Sequence, residues 1–504
     1  MSLGGPSFWI ATTPETSYGA LEGQVEVDVA VVGGGIMGIT TAALLKRAGK
    51  RVALLESKRI VHGATGYTTA KVTSGHGAIY ASLESSFGAE GARTYAEAQE
   101  AALAQIARFV EQGDIDCDFE RRANYVYGES AQEAEQLRHE AEAAKRAGLA
   151  ASFVDETPLP YGVAGAVRLD DQAQFHPRKY LLAVAATLPG DGSHVFEETR
   201  VQDVRDGDPC RVETARGIVR ARDVVIATQL PILDRGLFFA KAHPHHSYAV
   251  AAPLHASQAP DGMFLNMGTP TRSVRTMRDG ERQYISIGGN GHKAGREADT
   301  PARYDQLDAF LHEHWPGVGD VEYRWSTMDY MPLDRVPYIG RIRRRARHVF
   351  TGTGFNKWGM TNGTVAAMML SERILGRESG WERLFEAKRW HPRASLGKFV
   401  KENSSTGVRY VADWVQRVPG KSPDQLAAGE GALMRIRGRK TAVYRDEAGE
   451  LHAHSPVCRH LYCIVNWNRA ERSWDCPCHG SRYEGNGTVI QGPTTRDLKP
   501  RKPR

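Results

Sequence analysis

The chain has 504 residues, of which 25% are charged and 41% are hydrophobic, and its formal net charge is +6. A chain of this length can bury a large core and is expected to hold two or three domains. The mean hydropathy is −0.44, and the sequence has no apolar run of the ~18 residues that a membrane-spanning helix needs. A transmembrane segment is therefore not predicted.

The stretch 27–56 has the order strand, glycine-rich turn, helix, strand. Gly33, Gly35 and Gly38 fit the spacing G-x-G-x-x-G. In that motif the glycines allow a tight turn, a close approach of the backbone to a pyrophosphate, and close helix–strand packing. The helix N-terminus directs free N–H groups at the phosphates, and Glu56 ends the second strand where it can accept hydrogen bonds from a ribose. This order predicts a dinucleotide site, and the alternative is an ordinary glycine-rich turn.

Small and hydroxyl-bearing residues dominate the next stretch, 63–76, which includes Thr69, Lys71 and His76. Together with the preceding unit, this stretch resembles the D-amino-acid oxidase/glycine oxidase superfamily of FAD-dependent oxidoreductases. The resemblance implies a loop that lies along the flavin. The sequence that follows is rich in Ala and Glu at helical spacing, and it predicts solvated amphipathic helices at 95–110 and 130–147.

Strand patterns recur between 198 and 293. An apolar strand ends at Thr228 and, by the same resemblance, returns to the nucleotide sheet, with Val201 as a candidate contact to adenine. Short alternating segments over 272–293 are typical of an antiparallel substrate domain. The histidines at 243–246 suggest a metal site or, as the favoured interpretation, a polar loop.

The segment 325–340 resembles the one that closes the substrate domain in this superfamily. Members that oxidise amino acids often have an arginine just upstream of the motif Asp-x-x-Pro-x-Ile-Gly, where it holds the substrate carboxylate. The corresponding residue here is Asp329. This departure predicts a substrate without a free α-carboxylate, such as an amine, because an uncompensated pair of carboxylates in a partly buried site would be costly. The cations that could compensate from elsewhere are Arg275, Arg324 and Arg335.

A second glycine-rich turn begins at Gly352 and precedes a helix predicted at 364–375. In the resembling family this turn contacts the flavin ring and ribityl chain, and a helix N-terminus there would stabilise the anionic reduced flavin. Two glycine clusters about 320 residues apart favour FAD over NAD. The candidate FAD-binding residues are Gly33, Gly35, Gly38, Glu56, Thr69, Val201, Thr228, Gly340, Gly354, Trp358, Gly359, Met360 and Thr361, and the candidate catalytic residues are Lys71, His76 and Asp329.

The C-terminal part contains Cys458 and His460, then 15 residues, then Cys476 and His479. Each loop supplies one cysteine and one histidine, so two thiolates can hold one iron and two imidazoles the other, as in a Rieske [2Fe–2S] cluster. The alternative is a Cys₂His₂ zinc site. Zinc fingers usually pair cysteine with cysteine and histidine with histidine along the chain, so the mixed pairing favours the cluster.

The segment 476–483 closely resembles Rieske proteins of cytochrome bc-type complexes. That resemblance implies a disulfide between Cys463 and Cys478, which shields the cluster. It also implies hydrogen bonds from Ser481 and Tyr483 to the cluster sulfurs, which stabilise the reduced state and raise the reduction potential.

The sequence therefore predicts an α/β protein with a Rossmann-like FAD-binding domain, an interleaved antiparallel-sheet substrate domain, and a small all-β Rieske domain. The oxidoreductase part is placed at 1–394, a linker at 395–421 and the Rieske domain at 422–504. Within the first part, the nucleotide-binding segments are placed at about 25–80, 155–235 and 335–390, and the substrate domain at about 81–154 and 236–334.

The whole chain resembles bacterial FAD-dependent oxidoreductases that carry a C-terminal Rieske domain. The first hypothesis is an enzyme that oxidises an amine-type small molecule and passes electrons singly through the cluster to an external acceptor. The alternatives are a reductase whose cluster feeds electrons into FAD, and a non-catalytic redox sensor.

Charge and targeting signals bear on partners and location. Residues 396–504 hold 19 Lys/Arg and 11 Asp/Glu, a net charge of +8. The electron-transfer partner is therefore predicted to be an acidic protein or a quinone-linked one, and no binding to nucleic acid is predicted. The first residues lack a basic start followed by an apolar core, so a cytoplasmic location is expected.

Overall fold

The computed structural model describes residues 4–232, 236–297, 299–389, 414 and 422–503. The predicted linker at 395–421 lies outside the described residues except for Trp414. The α-helices, in chain order, are α1 (Phe8–Ala11), α2 (Ile36–Arg47), α3 (Tyr80–Gly113), α4 (Ala131–Arg146), α5 (Pro177–Ala186), α6 (Phe238–Lys241), α7 (Pro301–His314), α8 (Gly359–Ile374) and α9 (Glu382–Phe385). The strands are β1 (Gly23–Val32), β2 (Val52–Leu55), β3 (Lys71–Val72), β4 (Glu120–Gly128), β5 (Ala151–Val154), β6 (Gly165–Gln174), β7 (His194–Phe196), β8 (Val201–Arg205), β9 (Cys210–Thr214), β10 (Gly217–Ile226), β11 (Ala242–Pro253), β12 (Met263–Asn266), β13 (Arg272–Asp279), β14 (Arg282–Lys293), β15 (Tyr323–Pro332), β16 (Tyr338–Arg341), β17 (Val349–Thr353), β18 (Gly431–Ile436), β19 (Arg439–Arg445), β20 (Leu451–His454), β21 (Asn466–Asn468), β22 (Ser473–Asp475), β23 (Arg482–Glu484) and β24 (Val489–Gln491).

An eight-stranded sheet forms the centre of the nucleotide-binding part. Its main path is β16-β17-β10-β1-β2-β7, and β9 joins β8 to β10. β1 pairs in parallel with β2 and with β10, and β10 pairs in parallel with β17. The last four residues of β1 are at most 3% exposed, as expected for a parallel strand covered on both faces. The glycine-rich turn therefore leaves the sheet at the end of a buried strand.

A nine-stranded sheet forms the second layer. Its main path is β15-β11-β14-β13-β12-β4-β6-β3, and β5 pairs with β6. Most neighbours are antiparallel, as predicted for the substrate domain, although β4 and β12 run parallel. The strands β3 and β6 belong to this sheet, whereas the sequence boundaries placed them in the nucleotide-binding part. Both strands alternate or mix polar and apolar residues, and such a pattern does not reveal the sheet to which a strand pairs.

The predicted helices are present with shifted ends. The helix predicted at 95–110 lies inside the longer α3, and the one predicted at 130–147 is α4, whose N-terminus has a capping box between Ser130 and Glu133. The helix predicted at 364–375 begins earlier, at the start of α8. The polar loop favoured at 243–246 is wrong, because these histidines lie in β11 and pair with β15.

The C-terminal domain is all-β, as predicted, and it packs against the oxidoreductase part. It contains a three-stranded sheet, β18-β19-β20, and a four-stranded sheet, β21-β22-β23-β24. Tyr304 donates a hydrogen bond to Glu471 at 2.8 Å, and Asn466 donates one to the carbonyl of Gly295 at 3.0 Å. Among the described helices, none has the length and apolar character needed to cross a membrane.

Candidate functional site

A single cavity of about 1370 Å³ is lined by residues from both large sheets and from the C-terminal domain. Most of the candidate residues from the sequence contribute to its wall. Those lining the cavity are Gly33, Gly35, Glu56, Thr69, Lys71, His76, Val201, Thr228, Asp329, Trp358, Gly359 and Met360, whereas Gly38, Gly340, Gly354 and Thr361 are not among its lining residues. The structure thus brings together residues that are up to 327 positions apart in the sequence.

The first glycine turn can be formed only by glycine at two of its positions. Gly33 has a φ of +111°, and a Cβ atom there would lie 2.5 Å from the carbonyl oxygen of Ala227. A Cβ atom on Gly38 would lie 1.9 Å from the carbonyl oxygen of Gly33. α2 begins directly after Gly35, so its first N–H groups face the cavity. This backbone cradle fits the pyrophosphate of a dinucleotide.

Glu56 lies at the end of β2 and already holds part of the nearby backbone. Its carboxylate accepts hydrogen bonds from the N–H of Gly34 at 2.8 Å, the N–H of Lys58 at 3.0 Å and the hydroxyl of Ser57 at 2.9 Å. A carboxylate offers about four lone-pair sites, so one site is left for a ribose hydroxyl. The position and the remaining acceptor fit the role expected from the sequence.

His76 links the loop at 63–76 to α8. Its Nδ1 is 2.7 Å from the hydroxyl of Tyr95, its Nε2 is 2.9 Å from the hydroxyl of Thr361, and its ring stacks on Trp358 with centroids 4.7 Å apart. Burial lowers the pKa of His76 to about 3, so the ring is neutral at pH 7. Both ring nitrogens are engaged by the protein, which makes His76 a residue that fixes the cavity wall.

Lys71 and Asp329 also line the cavity and are engaged by other parts of the chain. The Nζ of Lys71 donates a hydrogen bond to the carbonyl of Phe264, and burial lowers its pKa. The carboxylate of Asp329 accepts hydrogen bonds from two backbone N–H groups and from the side-chain amide of Gln229, while burial raises its pKa. Each side chain therefore holds neighbouring backbone in place.

The three arginines considered as partners for a substrate carboxylate differ in their surroundings. Arg275 donates to the carbonyls of Thr69 at 3.0 Å and Ala70 at 2.8 Å and so supports the loop at 63–76. Arg324 pairs with Asp308 at 2.7 Å. Of these arginines, only Arg335 lines the cavity.

The C-terminal domain brings the four predicted cluster ligands together. Cys458 and Cys476 are buried and are not in a disulfide, and the rings of His460 and His479 have centroids 5.1 Å apart. Tyr483 donates a hydrogen bond to the Sγ of Cys458 at 3.2 Å, as the resemblance implies. Two buried thiols and two imidazoles on adjacent loops, with a hydroxyl aimed at a sulfur, fit a [2Fe–2S] cluster of Rieske type.

The disulfide between Cys463 and Cys478 is present in the structure. It joins the two ligand loops next to the cluster site. Tyr462, in the first cluster loop, adopts a φ of +61°, in the left-handed region that glycine favours. Its side chain is 64% exposed, so the larger residue keeps the glycine-like backbone by pointing into solvent.

Comparison with known proteins gives a family match for the FAD cavity and another for the cluster site. The family model "FAD dependent oxidoreductase" matches residues 28–373, and the model "Rieske [2Fe-2S] domain" matches residues 416–501. The chain belongs to the FAD-dependent oxidoreductase family and carries a Rieske [2Fe–2S] domain. It is 34% identical to the putative Rieske 2Fe-2S iron-sulfur protein YhfW of Bacillus subtilis, over 98% of this chain and 97% of that protein.

Two further comparisons cover the oxidoreductase part. The chain is 23% identical to gamma-glutamylputrescine oxidoreductase of Escherichia coli, over 71% of this chain and 86% of that protein. Glycine oxidase from Geobacillus kaustophilus superposes with a TM-score of 0.62 and 17% identity, over 73% of this chain and 99% of that one. This structural likeness shows the fold. The two family matches show that FAD and a [2Fe–2S] cluster are the cofactors of this oxidoreductase.

One strand of the oxidoreductase separates the FAD cavity from the cluster site. Asp329 and Met331 of β15 line the cavity. Tyr330, between them, is buried and is not a lining residue, and it donates a hydrogen bond to the carbonyl of His479 at 2.9 Å. In addition, the ring of Phe239 lies 4.9 Å from that of His479.

Several residues that shape the site were missed by sequence reasoning. Lys357 and Gln229 line the cavity beside Asp329. Lys357 directly precedes Trp358 and Gln229 directly follows Thr228, so their closeness to candidate FAD-binding residues could have indicated them. The Rieske domain also contributes to the cavity wall, and no local pattern indicated this. The contributing residues are Glu471, Arg482, Ile490, Gln491, Gly492, Thr494 and Thr495.

Proposed function

We propose that this protein oxidises an amine-type small molecule and passes the electrons singly through its Rieske cluster to an external acceptor. FAD supplies two-electron oxidation and one-electron transfer, and the cluster accepts one electron at a time. The observation that carries the proposal is the position of β15. Asp329 faces the cavity that fits FAD, and the adjacent Tyr330 contacts the backbone of the cluster ligand His479.

The other side of the cluster site reaches the protein surface. Leu461 and Tyr462, which directly follow the ligand His460, are 37% and 64% exposed. An external protein or molecule can therefore approach the first cluster loop without displacing β15. This arrangement supports an electron path that enters from the cavity and leaves at the surface. An acidic or quinone-linked acceptor and a cytoplasmic location stay predictions.

The residue at position 329 supports an amine over a substrate with a free α-carboxylate. Asp329 lies on the cavity wall, at the position where the resembling amino-acid oxidisers have an arginine. The same wall also carries the cations Lys71, Arg335 and Lys357, so the support comes from this one position and not from the total charge of the wall. Arg275 and Arg324 are engaged elsewhere by backbone carbonyls and by Asp308. The name of the relative gamma-glutamylputrescine oxidoreductase indicates a molecule with an amine-derived part, which supports an amine as the group that is oxidised.

A screen of amines and amino acids for anaerobic bleaching of the bound flavin tests the substrate class. Amines are expected to bleach it fastest. Arg335→Met provides the control, because Arg335 is the one of the three candidate arginines on the cavity wall. Rapid bleaching by an amino acid that is lost in Arg335→Met would overturn the amine assignment.

The electron path is tested with Cys476→Ser, which removes a thiolate ligand and should lose the cluster. Cys210→Ser, at a buried cysteine outside the cluster site, is the matched control. Anaerobic stopped-flow should show flavin reduction at the wild-type rate in both variants. Steady-state turnover with the one-electron acceptor should collapse only in Cys476→Ser. Full turnover in that variant would show that the cluster is not on the path, and failure of substrate to reduce its bound flavin would favour the reverse direction.

A further inference from the structure

The Rieske domain forms part of the wall of the FAD cavity through a segment that begins 11 positions after the cluster ligand His479. Strand β24 and the residues that follow it pass along the cavity, and five residues contribute to the lining there. They are Ile490, Gln491, Gly492, Thr494 and Thr495. None of them is one of the four predicted cluster ligands, although the N–H of Thr494 donates a hydrogen bond to Ser481 at 3.3 Å.

Three polar contacts hold this segment and the adjacent β23 against the nucleotide end of the cavity. Lys58 pairs with Glu484 at 2.7 Å. Arg200 donates a hydrogen bond to the carbonyl of Val489 at 2.9 Å. Gln491 donates a side-chain hydrogen bond to Gln229.

Each partner in the oxidoreductase part is next to a candidate FAD-binding residue. Lys58 comes two positions after Glu56, Arg200 directly precedes Val201, and Gln229 directly follows Thr228. All three candidate residues line the cavity. The Rieske segment therefore lies over the part of the cavity that suits the adenosine half of FAD.

We infer that the Rieske domain completes the FAD site, with Ile490 and Gln491 covering the adenosine half of the cofactor. Ile490 is half-buried and offers apolar surface to a purine ring, while Gln491 offers an amide that can donate and accept hydrogen bonds. The ligand class is an adenine nucleotide joined to flavin. This inference concerns cofactor binding and does not depend on the substrate or on the direction of electron flow.

A direct test uses FAD that carries a photoreactive azide on its adenine ring, bound to the full-length apoprotein. After irradiation, the labelled peptides are mapped by mass spectrometry. Label in the peptide that contains Ile490 and Gln491 is the expected result. Label confined to peptides from residues 4–389 would overturn the inference.

A second test compares FAD dissociation constants. Ile490→Ala removes apolar contact and should raise the constant roughly fivefold to tenfold. Ile436→Ala is the matched control, because Ile436 is a partly buried isoleucine of the same domain that does not line the cavity. The electron paramagnetic resonance signal of the cluster verifies that both variants keep a folded Rieske domain. Equal effects of the two substitutions would contradict the inference.

The interdomain contacts give a kinetic test of the same idea. Glu484→Lys replaces the ion pair with Lys58 by repulsion, so FAD should dissociate severalfold faster. Glu450→Lys makes the same change of charge at an exposed position of the domain that does not line the cavity, and it should leave the rate unchanged. An unchanged rate in Glu484→Lys, or the same acceleration in both variants, would count against a covering role.

Discussion

The carboxylate of Asp329 accepts a hydrogen bond from the backbone N–H of Lys357, with Oδ2 and nitrogen 2.6 Å apart. Its Oδ1 accepts the N–H of Tyr330 at 2.8 Å and the amide of Gln229 at 3.3 Å. Asn356 and Lys357 have φ angles of +54° and +68°, which are unfavourable for residues other than glycine. One side chain thus ties β15 to the turn that precedes α8, at the wall of the FAD cavity.

Asp329→Ala should loosen this turn. The substitution removes three hydrogen bonds, and a typical hydrogen bond contributes about 0.5–1.5 kcal/mol, so the free energy of unfolding should fall by that order and FAD should bind more weakly. Urea unfolding and titration of the apoprotein with FAD measure the two effects. Asp320→Ala, at an exposed position, is the control. FAD affinity equal to wild type in Asp329→Ala would contradict the assigned role.

Lys357 should be an unusually reactive lysine in the apoprotein. Desolvation within the cavity lowers its pKa to about 8, and its position on the cavity wall leaves the amine accessible to reagents. Only the neutral amine is nucleophilic, so acylation at Lys357 should be half-maximal near pH 8, whereas an ordinary lysine requires pH ~10.4. Competitive labelling followed by mass spectrometry gives the pH profile of each lysine. A profile at Lys357 like that of a model peptide would disprove this expectation.

The same pKa has a consequence for stability. The folded pKa of Lys357 lies below its unfolded value, so the folded protein binds fewer protons between about pH 8 and pH ~10.4. Its contribution to the free energy of unfolding should therefore rise with pH across this window. Lys357→Met should remove that part of the pH dependence.

Tyr330→Phe should slow electron transfer between the two cofactors while sparing both. The substitution deletes the hydroxyl that contacts the carbonyl of His479 and should cost about 0.5–1.5 kcal/mol of stability. Flavin reduction by substrate should keep its rate, whereas reduction of the cluster should become severalfold slower. Tyr338→Phe, at a buried tyrosine whose ring packs against Phe238, is the control. An unchanged rate of cluster reduction would show that Tyr330 is not on the electron path between the cofactors.

Short-range motifs made the two cofactor sites predictable. The glycine spacing at Gly33–Gly38 depends on contacts within one turn, such as the 1.9 Å that a Cβ on Gly38 would leave to the carbonyl of Gly33. The cluster ligands likewise occur in two short loops whose spacing reflects iron coordination. Such chemistry restricts residue types at nearby positions, and a single sequence displays it.

Long-range packing was not predictable, because the residues in contact are far apart in the sequence. Gln229 and Gln491 are 262 positions apart, and Tyr330 and His479 are 149 apart. Neither pair has a local pattern that specifies its partner. The placement of β6 in the substrate sheet was missed for the same reason, because strand patterns indicate burial and not the neighbouring strand.

The disulfide between Cys463 and Cys478 should be present in the purified protein. Alkylation of the denatured, unreduced protein should modify four of the six cysteines, which are Cys117, Cys210, Cys458 and Cys476. All six should react after reduction. Replacing Cys463 and Cys478 together by alanine should lower stability by about 3 kcal/mol, the value expected for a closed loop of about 15 residues. Six alkylated cysteines before reduction would rule the bridge out.

His76 should make the protein sensitive to acid. Its folded pKa is about 3 because of burial, whereas an unfolded histidine has a pKa of about 6.5. Below pH ~6.5 the unfolded chain binds a proton that the folded protein excludes, so the free energy of unfolding should fall with decreasing pH, by up to about 1.4 kcal/mol per pH unit for this residue.

Glutamine can donate to and accept from Tyr95 and Thr361, the partners of His76, and it does not titrate. His76→Gln should therefore be slightly less stable at pH 7.5 and should show a shallower loss of stability between pH 6.5 and pH 5, measured by urea unfolding. His139→Gln, at a histidine with a 76% exposed side chain, should keep the wild-type slope. A wild-type slope in His76→Gln would mean that the ring takes up its proton in the folded state.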